Sequence, residues 1–192
     1  MVAEHARRAP DAVAIRCGQD VVSYAQFDAR MDRVAAALQR DGLQPTQVIS
    51  ICAGSSIDYL AVFCGALRAG VAVAPLAPSS TARQLADMVA DSGARLFFTD
   101  AATLRTLQEG GIDLASLPRV LRLDEGIEPW LVPEGTRPVP VAIEPAWPFN
   151  LIYSSGTTGT PKGIVQQHAM RWTHIQRASV TGYAPDCVTL IA

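Results

Sequence analysis

The sequence predicts an α/β fold, a layered parallel sheet flanked by helices, from three observations. Short β-branched runs alternate with helical stretches, several of those stretches open on a capping residue and close at glycine, and the chain is long enough to bury a core. Its 192 residues are 49% hydrophobic and only 6% aromatic, which fits one domain over 1–192 with a substantial interior.

In chain order, Val13 to Cys17 and Val21 to Ser23 read as two short strands around the turn Gly18-Gln19-Asp20. The period then changes. Phe27, Met31, Val34, Ala35 and Leu38 recur at three- and four-residue steps, the stripe of an amphipathic helix whose other face carries Asp28, Arg30, Asp32 and Arg33. Ser23 with Gln26 forms a candidate capping box, and Gly42 supplies the stop. Gln47 to Cys52 is a β-branched run too short for a helix, and a helical stretch from Ile57 to Ala69 follows it, ending at Gly70. Val71 to Ala74 reads as a buried strand closed by Pro75, and Thr81 with Gln84 starts a helix that closes at Gly93. Arg95 to Thr99 is strand-like, Asp100 is placed to cap a helix through Glu109, and Arg119 to Leu123 offers another strand. From Asp124 to Pro148 the pattern dissolves into a proline-rich connector, expected to run extended over the surface. Phe149 to Tyr153 and Gly163 to Gln166 read as two strands, a helix is expected from His168 to Val180, and Val188 to Ile191 reads as a last strand.

Charge and cysteine usage exclude several function classes. The formal net charge is -2 with both signs interspersed, so no basic stripe is present to neutralise a nucleic-acid backbone. No apolar segment follows Arg7 and Arg8, and the longest apolar run, Tyr59 to Leu67, is stopped by Arg68, far short of the roughly 20 residues a membrane helix needs. The expected location is the cytoplasm. Cys17, Cys52, Cys64 and Cys187 contain no CxxC pair, and no histidine completes a metal site, so free thiols and no metal ligation are expected.

One stretch is not what a packed core requires: SSGTTGTPKG, residues 154–163, joining the two strands as a hairpin. Gly156, Gly159 and Gly163 allow backbone N–H groups to turn toward a common point through positive φ, the hydroxyls of Ser154, Ser155, Thr157, Thr158 and Thr160 add donors, and Lys162 adds a full positive charge. Such a loop suits a polyphosphate. Pro161 stands where the common nucleotide loop has a glycine before its lysine, and a strand follows rather than a helix, so a helix dipole contributes little. By composition alone the stretch reads first as a solvated, mobile hairpin tip.

The ordered string decides between them, because SSGTTGTPKG resembles the phosphate-binding signature of the adenylate-forming superfamily, which includes acyl-CoA synthetases, nonribosomal peptide synthetase adenylation domains and luciferases. VSYAQFD (22–28) and LRAGVAVAPLAP (67–78) resemble two earlier motifs of that superfamily in the right order, while Thr46-Gln47 departs from its usual Gly-Asp and Ala77 from its usual polar residue. The resemblance implies ATP-dependent activation of a carboxylic acid as an acyl-adenylate, with Mg2+, followed by transfer to a thiol. It assigns the ATP phosphates to Ser154, Ser155, Gly156, Thr157, Thr158, Gly159, Thr160, Lys162 and Gly163, with Ser155, Thr157, Thr158 and Lys162 foremost. His168 matches a histidine that follows the motif, with an orienting or helix-capping role favoured over a catalytic one.

YSSGTTG and ALRAGVAVAPLAP look closest to fatty-acyl or aryl CoA ligases, so the expected acceptor is coenzyme A. An amino-acid-activating domain that loads a carrier protein, and a noncatalytic nucleotide-binding or interaction module, remain the alternatives. The acyl pocket, adenine motif, acidic magnesium ligand and catalytic lysine of the superfamily are not found here. The chain is therefore expected to be a truncated amino-terminal region, inactive alone and able to self-associate through an apolar edge near Val188 to Ile191.

Overall fold

In the computed structural model, residues 1–154 and 162–180 are described, the last three by backbone alone. Helix α1 (Val2–Arg8) precedes a hairpin of β1 (Val13–Cys17) and β2 (Asp20–Ser23), and α2 (Tyr24–Arg40) follows. Then come β3 (Val48–Cys52), α3 (Ile57–Arg68), β4 (Ala72–Pro75), α4 (Ala82–Asp91), β5 (Leu96–Thr99), α5 (Ala101–Glu109) and β6 (Arg119–Arg122). After the proline-rich segment, β7 (Pro148–Ser154), β8 (Lys162–Gln167) and α6 (His168–Val180) complete the described chain.

The helices begin where local chemistry starts them. Ser23 and Thr81 each accept from a backbone N–H three residues on, of Gln26 and Gln84, whose side chains return to the cap residue's own N–H. Both boxes satisfy two otherwise orphaned donors. Ser56 and Asp100 cap α3 and α5 by accepting from the N–H groups of Tyr59 and Thr103. Helix α1 was not expected: it buries none of its residues, so no apolar stripe marks it in the sequence.

The main sheet has the order β6-β5-β3-β4-β7-β8, with β3, β4, β5, β6 and β7 parallel and β8 antiparallel to β7. The expected layered α/β fold is present, with helices on both faces. On one, Ile49, Ile51, Val73, Leu96 and Phe98 pack with Val34, Leu38 and Val62 of α2 and α3. On the other, Cys52 and Phe97 pack with Leu85, Met88 and Leu107 of α4 and α5. Burial on both faces explains why these strands read as continuous apolar runs. Where α3 crosses α2, a Cβ on Gly65 would lie 2.6 Å from Val34, so only glycine admits this approach.

The segment 124–147 contains no helix or strand, yet it does not merely run over the surface. Ile127, Trp130, Leu131 and Val132 are buried in the α2 and α3 core, and Trp130 meets Phe98 edge-on with centroids 5.2 Å apart. Helix α2 holds this strap along its length: Arg33 Nε donates to the Val132 carbonyl at 2.8 Å, Arg40 to that of Trp130 at 3.0 Å, and Gln39 bonds both backbone groups of Val139. The sequence concealed this because Ile127, Trp130 and Leu131 keep a helical step for one turn only, interrupted by Pro129 and stopped by Pro133.

Thr46, which stands where the superfamily usually has glycine, adopts φ 68°, the only positive φ at a non-glycine among the described residues. A β-branched side chain is strained there. Thr46→Gly is expected to stabilise the fold by about 1 kcal/mol, the left-handed penalty being partly offset by glycine's greater unfolded-state entropy. Urea denaturation monitored through tryptophan fluorescence checks this through the midpoint.

Candidate phosphate-loop site

Strand β7 runs parallel to β4 through the pair Val73 and Asn150, so its Ser154 end lies at the carboxyl edge of the parallel strands. That edge is where open α/β sheets take their ligands. Strand β8 returns from it in the register Ile152 with Ile164, Tyr153 with Gly163 and Ser154 with Lys162. The hairpin therefore brings Ser154 and Lys162 opposite each other at the mouth of the loop, both exposed. Ser155, Gly156, Thr157, Thr158, Gly159, Thr160 and Pro161 lie outside the described residues. Among the described residues no ion pair engages Lys162, and no group of three or more His, Cys, Asp or Glu side chains could hold a metal.

Gly163 suits its position for a different reason from the one the sequence suggested. Its φ is not in the left-handed region. It is an approach site instead: a Cβ there would lie 3.2 Å from Cε1, Cζ and the hydroxyl of Tyr153, its register partner. The Tyr153 hydroxyl donates to Asp91 Oδ2 at 2.7 Å, at the end of α4. Burial first, then the hydrogen bond to Asp91 and its charge, raise the Tyr153 pKa, so the phenol remains a donor. The sequence carries no sign of this contact, because 62 residues separate the partners.

At the same carboxyl edge of the sheet, the ends of β3 and β5 are tied together. Thr99 donates through its hydroxyl to the Cys52 carbonyl at 2.8 Å, Thr103 does so at 3.2 Å, and the Gly54 N–H donates to Asp100 Oδ2 at 2.9 Å. Burial works to raise the Asp100 carboxyl, but bonds from the backbone N–H groups of Thr103 and Gly54 outweigh it and hold the group below its usual value. Burial also pushes the Cys52 thiol up to about 11, so it is not a nucleophile at neutral pH. Cys17, Cys52 and Cys64 are free thiols.

His168 stands at the opposite end of β8 from the loop, roughly 20 Å away at the usual rise of an extended strand. It is the first residue of α6; its backbone N–H donates to the Trp147 carbonyl at 3.1 Å and its ring meets Phe149 edge-on at 5.1 Å. Burial lowers its pKa. Its Nε2, with Asn150 Oδ1 and Gln166 Oε1, is buried without a hydrogen-bond partner among the described residues. Five exposed apolar side chains, Ile164, Val165, Met170, Trp172 and Ile175, lie on β8 and α6, while the expected edge at Val188 to Ile191 lies outside the described residues. A cleft of about 800 Å³ opens elsewhere, between β2, α2 and the strap, but its Arg30, Arg33 and Asp58 are already committed to ion pairs. None of the described helices is long and apolar enough to cross a membrane.

Comparison with known proteins places this geometry in context. The family described as AMP-binding enzyme matches residues 2–189. The chain is 30% identical over 180 residues to gramicidin S synthase 2 of Aneurinibacillus migulanus, covering 91% of this chain and 4% of that protein. Among solved structures, the nonribosomal peptide synthetase FmoA3 in its α-methyl-L-serine-AMP bound form has a TM-score of 0.73 at 25% identity, covering 92% of this chain and 19% of that one. O-succinylbenzoate coenzyme A synthetase of Bacillus subtilis, in complex with AMP, has a TM-score of 0.77 at 17% identity over 96% of this chain and 46% of that one.

Proposed function

The chain belongs to the AMP-binding enzyme family, and from that membership we propose that it forms the amino-terminal part of an adenylation domain that activates an amino acid and loads it onto a carrier-protein thiol. The likeness to a nonribosomal peptide synthetase at 25% identity is the observation that carries the acceptor and the substrate class. It favours this reading over the fatty-acyl or aryl CoA ligase expected from the motifs. The coenzyme A synthetase resembles the chain at 17% identity, a likeness of fold alone.

In the proposed reaction a carboxylate oxygen of the acid attacks the α-phosphorus of ATP, the bond to the β-phosphate bridge breaks, and pyrophosphate leaves with its electron pair. The hairpin delivers Lys162 and Ser154 to the sheet's carboxyl edge, where the loop holds the β- and γ-phosphates in line. The Lys162 ammonium, free of ion pairs among the described residues, offsets the charge that develops on the leaving group. Mg2+ would supply further charge neutralisation on the phosphates, with its acidic ligand outside the motifs of this chain. A thiolate then attacks the acyl carbon and expels AMP.

The acceptor is tested by offering the complete protein ATP, Mg2+, a free acid that supports pyrophosphate exchange, and either a phosphopantetheinylated carrier protein or coenzyme A, and reading the thioester by intact mass. Loading of the carrier supports the reading. Thioester on coenzyme A alone returns it to the acyl-CoA ligases, and nucleotide binding without any adenylate supports the noncatalytic module.

A further inference from the structure

A phosphate loop can hold a leaving group in line only if its stem is aimed correctly. Among the described residues β8 pairs only with β7, and β7 pairs with β4 at Val73 with Asn150, four residues before Ser154. Near the mouth one side chain hydrogen-bonds the stem to a helix of the body. Tyr153 lies between Ile152 and Ser154 on β7, its ring covers Gly163 of β8 at a distance no added Cβ could comfortably share, and its hydroxyl donates to Asp91. Both strands of the stem are thereby tied to α4.

Asp91 is suited to the acceptor role because it is otherwise poorly placed. It is the last residue of α4, where the helix's negative end disfavours a carboxylate, and α4 has no basic residue in its last turn. The Tyr153 phenol is the donor that offsets this. We infer that Tyr153 and Asp91 form a clamp that sets the direction of the phosphate loop and thereby the affinity for the triphosphate. They are positioning residues and touch no reacting atom. The inference rests on the phosphate-loop reading above.

The test uses Tyr153→Phe, Asp91→Ala, the double variant and Asp91→Asn. In the complete enzyme, each of the first two is expected to raise KM for MgATP about fivefold, the effect of one net hydrogen bond, with KM for the acid unchanged. The double variant should be no worse than either single one, and Asp91→Asn, which keeps an acceptor oxygen, should recover most of the loss. In this chain alone, amide hydrogen exchange at Tyr153, Lys162 and Gly163 should quicken by a similar factor while Ile49, Ile51 and Phe98 keep their protection. Uniformly faster exchange, additive effects, or an unchanged KM for MgATP would each overturn the clamp. A wild-type enzyme that activates no acid overturns the adenylation reading alone, and local quickening in the stem then still decides whether Tyr153 and Asp91 hold it.

Discussion

Lys162→Ala is expected to slow adenylate formation in the complete enzyme by about 10²- to 10³-fold, the loss usual for removing one preorganised group at developing charge. The fold should scarcely notice. Lys162 is exposed at the first position of β8, and exposed substitutions away from special features usually change stability by no more than about 0.5 kcal/mol. Pyrophosphate exchange and thermal unfolding measured on one preparation separate the two effects. Unchanged exchange would remove the lysine from the mechanism, and a collapsed melting transition would make its role structural.

Trp130→Ala is expected to give the largest loss of stability, about 3–5 kcal/mol, because it empties a large buried site at the strap's anchor. The ring is buried against Phe98, and its indole N–H donates to Asp41 Oδ2 at 2.8 Å. Burial acts to raise the Asp41 carboxyl, but this bond and the neighbouring Arg40 and Arg119 hold it below its usual value. Trp130→Phe keeps most of the packing and loses the bond, so its cost should be nearer 1–2 kcal/mol. Chemical denaturation of both variants checks the ordering. Equal losses would mean that the hydrogen bond, and not the buried ring, fastens the strap to α2.

The contrast between capping boxes and strap shows which physics is legible in a sequence. Ser23 with Gln26 and Thr81 with Gln84 could be read directly, because their partners lie three residues apart and their bonds form within one helical turn. The apolar runs of β3, β4 and β5 were legible because burial on both faces removes polar alternation. Sheet order was not, since it depends on which strands meet across crossovers and on no local pattern. Trp130 and Val132 were hidden among prolines because the spacing of their neighbours lasts a single turn, and α1 was hidden because it has no fully buried residue to mark it.

The site divides along the same line. The loop's glycines, hydroxyls and lysine were legible as a string, whereas Tyr153 and Asp91 meet only after α4 and β7 have been placed on one sheet. Gly163 was noticed for the wrong physical reason: its lack of a side chain makes room for Tyr153 and does not serve a left-handed turn. The motif's resemblance to CoA ligases could not decide between coenzyme A and a carrier protein, because a string that reads as a phosphate loop carries no feature that tells one thiol from another.

The most direct test of the central claim is acid-dependent exchange of labelled pyrophosphate into ATP by the complete protein, run across α-amino acids, aryl acids and fatty acids. Exchange driven by one α-amino acid or a narrow set of them, and reduced at least a hundredfold by Lys162→Ala, is the predicted result. Exchange driven only by fatty or aryl acids, or none with any acid while MgATP still binds, would contradict it.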